Sequence, residues 1–425
     1  MLNAQPNFEN NIPGRNSRLL GTLLSQVESR NVTFQGDDFP VFWDRALGST
    51  VWDVDGNAYI DFTSAFGVAS IGHTHPAVVG AIKAQAERLI HGMGDVHPSA
   101  PKTLLCQKIA LASGLDNAKV ILSQNGGDAV ESALKTALLY TGGAEVCAFN
   151  GGYHGMSYGA LNVTSRTDFR EPFREQMGSF VSHFPFGGSL HEIKSFLGGR
   201  NAGAVIVEPI QGRGGIVVPP DGWLGELKEI CAKSNTLFIA DEIFTGWGRT
   251  GSLFAATHDR VIPDIMCVGK AMGGGMPISA CVATGDIMDC WPKSLGESIH
   301  TSTFLGNPLA CAASLAAIDV ILQEDLSHRA SETGALAIKL LSEIVERNLT
   351  DLKSVRGRGL MLGIEFHEKE KCLRTVTTAL QHGLFVLPAG DGSILEILPP
   401  LTITETELRE GLTRLEVSLA EADKK

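Results

Sequence analysis

The chain has 425 residues, 44% of them apolar and 19% charged, which is enough to bury a sizeable core and excludes wholesale disorder. It is acidic, with 47 Asp and Glu against 35 Lys and Arg and a formal net charge of −12. An acidic chain without basic runs is poorly suited to grip a phosphate backbone or an anionic bilayer, so neither nucleic acid nor membrane is expected as a partner.

Residues 1–30 read as a polar arm with one short helix. Two extended pieces follow, Val41-Phe42-Trp43 and Thr50-Val51-Trp52-Asp53-Val54. Asp55-Gly56-Asn57, set before Tyr59-Ile60-Asp61-Phe62, signals a hairpin. A helix is predicted after His75-Pro76, with Val78, Val79, Ile82 and Ala86 on its apolar positions. From about 100 to 320, short apolar runs alternate with helical stretches. The runs are Val120-Ile121-Leu122, Val146-Cys147-Ala148-Phe149, Ala204-Val205-Ile206-Val207, Leu237-Phe238-Ile239-Ala240 and Ile265-Met266-Cys267-Val268. Continuous apolar strands alternating with helices predict an α/β fold, its mainly parallel sheet covered on both faces. One long helical segment is predicted over 307–348, a strand over 357–366 and a terminal helix over 405–422. The domains expected are 1–70, an arm with part of a small domain; 71–320, a large domain; and 321–425, a small α+β lobe.

The eight cysteines form no C-x-x-C pair, and several sit in apolar runs. Buried free thiols in a reducing compartment are expected, not a disulfide framework or a zinc site. His73 and His75 lack a second ligand cluster, so no metal is expected. The first ten residues carry no apolar signal region and no run is long enough to span a bilayer, which makes the cytoplasm the expected location.

Polar residues cluster where the apolar strands end, the edge at which open α/β sheets bind ligands. Glu208, Asp241 and Gly269-Lys270 each follow such a run, and Asn125-Gly126-Gly127-Asp128 opens a helix. A carboxylate ending a buried strand needs a partner, and a protonated pyridine nitrogen would suit Asp241; an N-cap or a structural ion pair would serve too. Lys270 lies between an apolar run and Gly273-Gly274-Gly275, so desolvation would free its amine for imine chemistry. Gly126 and Gly127 offer bare amides and a helix dipole to a phosphate. Tyr153, in Gly151-Gly152-Tyr153-His154-Gly155, would lay its ring on a flat cofactor or simply pack in the core.

Taken in order, these motifs resemble class III aminotransferases. The resemblance rests on Asp241-Glu242-Ile243-Phe244-Thr245-Gly246-Trp247-Gly248-Arg249-Thr250-Gly251, Pro263-Asp264, Gly269-Lys270-Ala271 and Gly273-Gly274-Gly275-Met276-Pro277. Gly72-His73-Thr74-His75-Pro76, Glu208-Pro209-Ile210-Gln211-Gly212, Thr303-Phe304-Leu305-Gly306-Asn307-Pro308 and Leu398-Pro399-Pro400-Leu401 fit in order around them. It implies a fold-type-I transferase dependent on pyridoxal 5'-phosphate. That fold has a mainly parallel seven-stranded sheet in the large, cofactor-binding domain and a small α+β domain built from both termini. It further implies a Schiff base at Lys270, Asp241 against the ring nitrogen, Tyr153 stacked on the ring and Ile243 on its opposite face. Gly126, Gly127, His154 and Glu208 would complete the cofactor contacts. Thr303 would reach the phosphate of a second subunit, so a homodimer with shared active sites is implied. The activity implied is ping-pong transfer of an amino group from an amino donor to a keto-acid or aldehyde acceptor, with Lys270 shuttling the proton.

The chain departs from its relatives at the substrate end, where the positions expected to matter are Phe66, Met156, Arg213 and Glu396. Relatives that act on 4-aminobutyrate or acetylornithine carry an arginine where Met156 stands, and a thioether cannot grip a carboxylate. They also carry a Glu and an Arg where this chain has Arg213 and Glu396, an inversion of both charges. An Arg213–Glu396 pair is therefore expected, with either Arg213 clamping a carboxylate or Glu396 receiving a cationic or hydroxylated donor. The alternatives are an epimerase or aminomutase on the same fold, and an idle binding protein that kept the fold. A nicotinamide dehydrogenase is disfavoured because no G-x-G-x-x-G follows the first strand.

Overall fold

The computed structural model describes residues 12–36 and 38–422. Its centre is a seven-stranded sheet. Across the sheet the strands run Lys119–Ser123, Ser279–Ala283, Ile265–Val268, Leu237–Asp241, Ala202–Val207, Glu145–Phe149 and Val181–Phe184. Only Ser279–Ala283 is antiparallel to its neighbours, so the sheet is mainly parallel as expected. Ala202–Val207 and Leu237–Asp241 are buried along their whole length, because helices cover both faces and leave no side of these strands for water.

Two strands of this sheet escaped the pattern reading. Val181–Phe184 lies at the sheet edge, where Ser182 and His183 break the apolar run. Ser279–Ala283 is fully buried but made of small residues with little strand signature.

The smaller sheets join distant parts of the chain. Trp43–Leu47, Thr50–Asp53 and Ala58–Asp61 form a meander, and Leu384–Phe385 adds in parallel to Ala58–Asp61. The predicted turn sits at Gly56, whose φ of 87° only glycine adopts without strain. A third sheet orders Leu352–Arg358, Met361–Phe366, Ile394–Ile397 and Leu387–Ala389.

Two sequence expectations fail here. The segment 307–348 is two helices, Pro308–Gln323 and Leu326–Arg347. They part at Asp325, whose side chain accepts from the His328 N–H and caps the second helix while its own backbone turns left-handed. The strand expected over 357–366 is a hairpin instead: Gly359, at φ 56°, turns the chain between two antiparallel strands. The N-terminal helix is Arg15–Val27; the rest of the expected arm, residues 1–11, lies outside the described residues.

Arg249 ties these layers together. It is 1% exposed and donates to the carbonyls of Leu360 and Pro399 and to the hydroxyls of Ser64 and Ser70. Burial pulls its proton affinity down to about 9, opposed by the charge of Asp61. Replacing Arg249 by leucine strands four acceptors, and a loss of about 3–5 kcal/mol is expected in urea denaturation, the size seen when one partner of a buried ionic network is removed. A loss below about 1 kcal/mol would contradict this role.

Candidate active site

The carboxyl ends of the parallel strands open into a cleft of about 510 Å³. Gly126, Gly127, Tyr153, His154, Met156, Glu208, Arg213, Asp241, Ile243 and Lys270 all line it, as the sequence led us to expect. Strands of a parallel sheet end at one edge, so residues 208, 241 and 270, far apart in sequence, converge there.

Asp241 closes the strand Leu237–Asp241 and is 3% exposed. Its Oδ1 accepts from the Ile243 N–H at 3.1 Å and its Oδ2 meets His154 Nδ1 at 2.7 Å. His154 is buried, which opposes its charge, yet the hydrogen bond and charge of Asp241 outweigh burial and raise its proton affinity. Glu208 is locked onto two loops, accepting from the Tyr153 N–H at 2.8 Å and the Gly212 N–H at 3.0 Å. Burial raises its pKa to about 7, partly offset by His154.

Lys270 follows the buried strand Ile265–Val268 with a left-handed backbone, φ 45°, a strained conformation of the kind that collects at functional sites. Burial brings its amine down to about 8, against the opposing pull of Glu208, Glu396 and Asp241. Its Nζ lies 3.4 Å from the centroid of the Phe244 ring. That ring is seated by two glycines: a Cβ on Gly67 would come within 2.6 Å of it and one on Gly212 within 2.1 Å.

The helix Gly126–Thr141 aims its first amides at the cleft, with Asn125 as its cap. A Cβ on Gly126 would lie 2.9 Å from Ile243 Cδ1, so glycine lets Ile243 close over this turn. Beside Gly127 sits Ser157, whose Oγ is buried without a hydrogen-bond partner and would be 3.2 Å from a Cβ at 127. The sequence reading passed over Ser157, thirty residues on, which brings a hydroxyl to this turn. It also gave no role to Val68, Gln124, Phe244 or the Met276-Pro277-Ile278 wall.

Other expected residues fall elsewhere. Thr303 is exposed and does not line the cleft, and Phe66 is 56% exposed just outside it. Glu396 is buried on the strand Ile394–Ile397, and the ion pair expected with Arg213 is not made: the charge of Arg213 holds down the proton affinity of Glu396, but no nitrogen–oxygen contact within 4 Å joins them. His73 Nε2 lies 2.7 Å from Oδ2 of the buried Asp61. All eight cysteines are free thiols, and Cys106 and Cys290 are only half-buried.

Residues 32–419 match the model of the family described as aminotransferase class-III. The acetylornithine aminotransferase of Methanopyrus kandleri is 40% identical over 377 residues, 89% of this chain and 94% of that one. An ornithine aminotransferase from Toxoplasma gondii, whose crystals show partial occupancy of PLP at the active site, superposes with a TM-score of 0.88 at 33% identity, covering 95% and 94% of the two chains. An amine transaminase from an uncultivated Pseudomonas species, solved with PLP bound, does so with a TM-score of 0.86 at 27% identity, covering 93% and 99%. A lysine, an aspartate and a glycine-led helix meeting at one sheet edge are thus set in a frame shared along nearly the whole length, and the chain belongs to the class III aminotransferases, with pyridoxal phosphate as its cofactor and transamination as its reaction.

Proposed function

We propose that Lys270 and Asp241 carry the transamination, that Gly126, Gly127 and Ser157 hold the cofactor phosphate, and that Tyr153, His154, Glu208 and Ile243 position the ring. The observation that carries this reading is the buried amine of Lys270 opposite the anchored carboxylate of Asp241 in one cleft. The residues fit the cofactor. An anion is called for where helix amides and an orphaned buried hydroxyl meet, and Ile243 and Tyr153, both on the cleft wall, offer apolar surface to a planar ring. When bound, pyridoxal phosphate supplies an aldehyde carbon to hold an amine and a ring that draws off its electrons.

The protein's part is then to hold and to move protons. Lys270 Nζ would hold the aldehyde carbon, yield it to the donor's amine, and carry a proton as base and then as acid. Asp241, fixed by the Ile243 N–H and His154, keeps its remaining lone pairs for the ring nitrogen. Glu208 pins the Tyr153 loop to the Gly212 loop, so the two walls keep their spacing.

The enzyme is read as a cytoplasmic homodimer in which Thr303 serves the neighbouring subunit's phosphate. Exposed apolar side chains near it in sequence, Leu295, Ile299 and Phe304, support a covered face there. The domain division at about 71 and 321 belongs to the same reading. No helix among the described residues is long and apolar enough to cross a membrane. The names of the relatives point to acetylornithine or ornithine as donor, but Met156 and Glu396 offer neither of the arginines such a donor would meet.

The test is absorbance of the protein loaded with pyridoxal phosphate, followed by a panel of amino donors with pyruvate and 2-oxoglutarate. Transfer that requires the keto acid supports the reading; reaction of a single substrate without one would favour an epimerase or aminomutase. Ser157→Ala is expected to weaken cofactor retention about 5–10-fold in equilibrium dialysis, the worth of one hydrogen bond to a charged group. Unchanged retention would remove Ser157 from the phosphate site.

A further inference from the structure

One charge arrangement in the cleft is left unused by cofactor binding. Among the lining residues Lys270, Arg213 and His154 can carry positive charge; Lys270 is committed to the chemistry and His154 to Asp241. The Arg213 guanidinium makes no hydrogen bond or ion pair among the described residues, so its five donors stand ready at the cleft wall. Much of the remaining wall is apolar: Val68, Met156, Phe244, Met276 and Ile278.

Glu396 is the other unspent group. It is 2% exposed, and its Oε1 is buried with no partner. It sits between the strands Met361–Phe366 and Leu387–Ala389, where Gly363 and Leu387 stand opposite it and neither titrates. The charges acting on it are Arg213, Lys270 and Glu208, all from the cleft.

We propose that Arg213 is the single carboxylate clamp of both half-reactions and that it restricts the substrates to amino and keto acids bearing one carboxylate. The proposal rests on the transaminase reading above and names its substrate class. A planar guanidinium with free donors matches a carboxylate in two parallel hydrogen bonds. A second carboxylate on the same substrate finds no second guanidinium among the described residues of this wall. It meets Met156, which has no donor, and comes under the charge of Glu396 buried behind the wall.

Glu396 also makes the clamp sensitive to pH. Burial raises its proton affinity, and Arg213 and Lys270 pull it back to about 7. A carboxylate seated on Arg213 cancels part of that pull, so binding takes up a proton at Glu396. Affinity for carboxylates therefore falls as the pH rises above about 7, and Glu396→Gln flattens that slope.

The test uses the holoenzyme with pyruvate, 2-oxoglutarate and the unreactive monocarboxylate propionate. In wild type, kcat/KM for pyruvate should exceed that for 2-oxoglutarate by about tenfold or more, the discrimination expected from one unmatched buried charge. Arg213→Gln should lower kcat/KM for pyruvate about 100-fold, mainly through KM, and weaken propionate binding, read from the cofactor's absorbance, about tenfold or more. Arg213→Lys should recover part of both. A preference for 2-oxoglutarate, or an Arg213→Gln enzyme within threefold of wild type on pyruvate, overturns the proposal. Failure of the parent reading looks different: the protein stays colourless with pyridoxal phosphate or transfers no amine to any acceptor, and both readings then fall together.

Discussion

Lys270→Ala is expected to lower transamination by at least about 10⁴-fold, because it removes both the amine that holds the cofactor and the group that moves the proton. The fold should survive. The side chain is buried against Phe244, and its amine is among the groups that burial disfavours, so deleting it removes a desolvated charge along with some packing. Residue 270 keeps its left-handed backbone whether it is lysine or alanine, so that strain is unchanged. The readouts are single-turnover rate, near-visible absorbance, and borohydride labelling of the peptide carrying residue 270. Residual activity above about 1% of wild type would assign the proton transfer to another group.

The same amine sets a pH dependence. Only its neutral form attacks an aldehyde, and burial brings it to about 8 from the usual 10.5. Capture of pyridoxal phosphate by the protein stripped of cofactor should rise about tenfold per pH unit below 8 and level off above it. The consequence for stability has the same cause and the same direction. Between pH 8 and 10.5 the unfolded chain binds a proton at this lysine that the folded chain does not, so stability of the stripped protein rises with pH across that window. A capture rate independent of pH from 6 to 9 would sink the assignment.

Sequence alone disclosed the frame and the sheet edge where Lys270 and Asp241 meet because both follow from short-range rules. Fully buried parallel strands must be apolar throughout, so 204–207 and 237–240 stood out, and whatever polar residue ends them lies at the ligand edge. Signals for Asp325 and Gly359 were present as well, an N-cap residue and a turn glycine, but strong apolar periodicity on either side hid them. Ser157 and the Arg213–Glu396 relation could not be read in this way. Each depends on where two separate segments cross: Ser157 on a loop beside the helix that begins at Gly126, Glu396 on a strand behind the cleft. Pairing Arg213 with Glu396 assumed that opposite charges on facing segments must touch. In the fold Glu396 remains enclosed and unpaired, and that separation is what leaves the guanidinium free for a ligand.

Asp241→Asn tests the other half of the pair and should separate electronics from geometry. Asparagine keeps the shape and can still accept from the Ile243 N–H, but it cannot balance a positive ring nitrogen. A fall in rate of about 10²–10⁴-fold is expected, the range in which one preorganised charge contributes to catalysis. The loss should lie in proton transfer, so a deuterium isotope effect at the donor carbon should grow. Stability should fall too, since His154 loses the carboxylate that holds its proton in a fully buried position. Removing one partner of such a pair costs about 3–5 kcal/mol when both are charged. His154 has its affinity raised when folded, so the pair's contribution is fully present below about pH 6.5 and is lost as the pH climbs through the folded value. The stability gap between wild type and Asp241→Asn should therefore be widest near pH 6 and narrow at alkaline pH. His154→Gln should then reproduce the stability loss with a much smaller loss of rate, because it leaves the carboxylate facing the ring. Equal kinetic damage from the two variants would mean that Asp241 acts only by placing His154, and the ring-nitrogen role would pass to another residue.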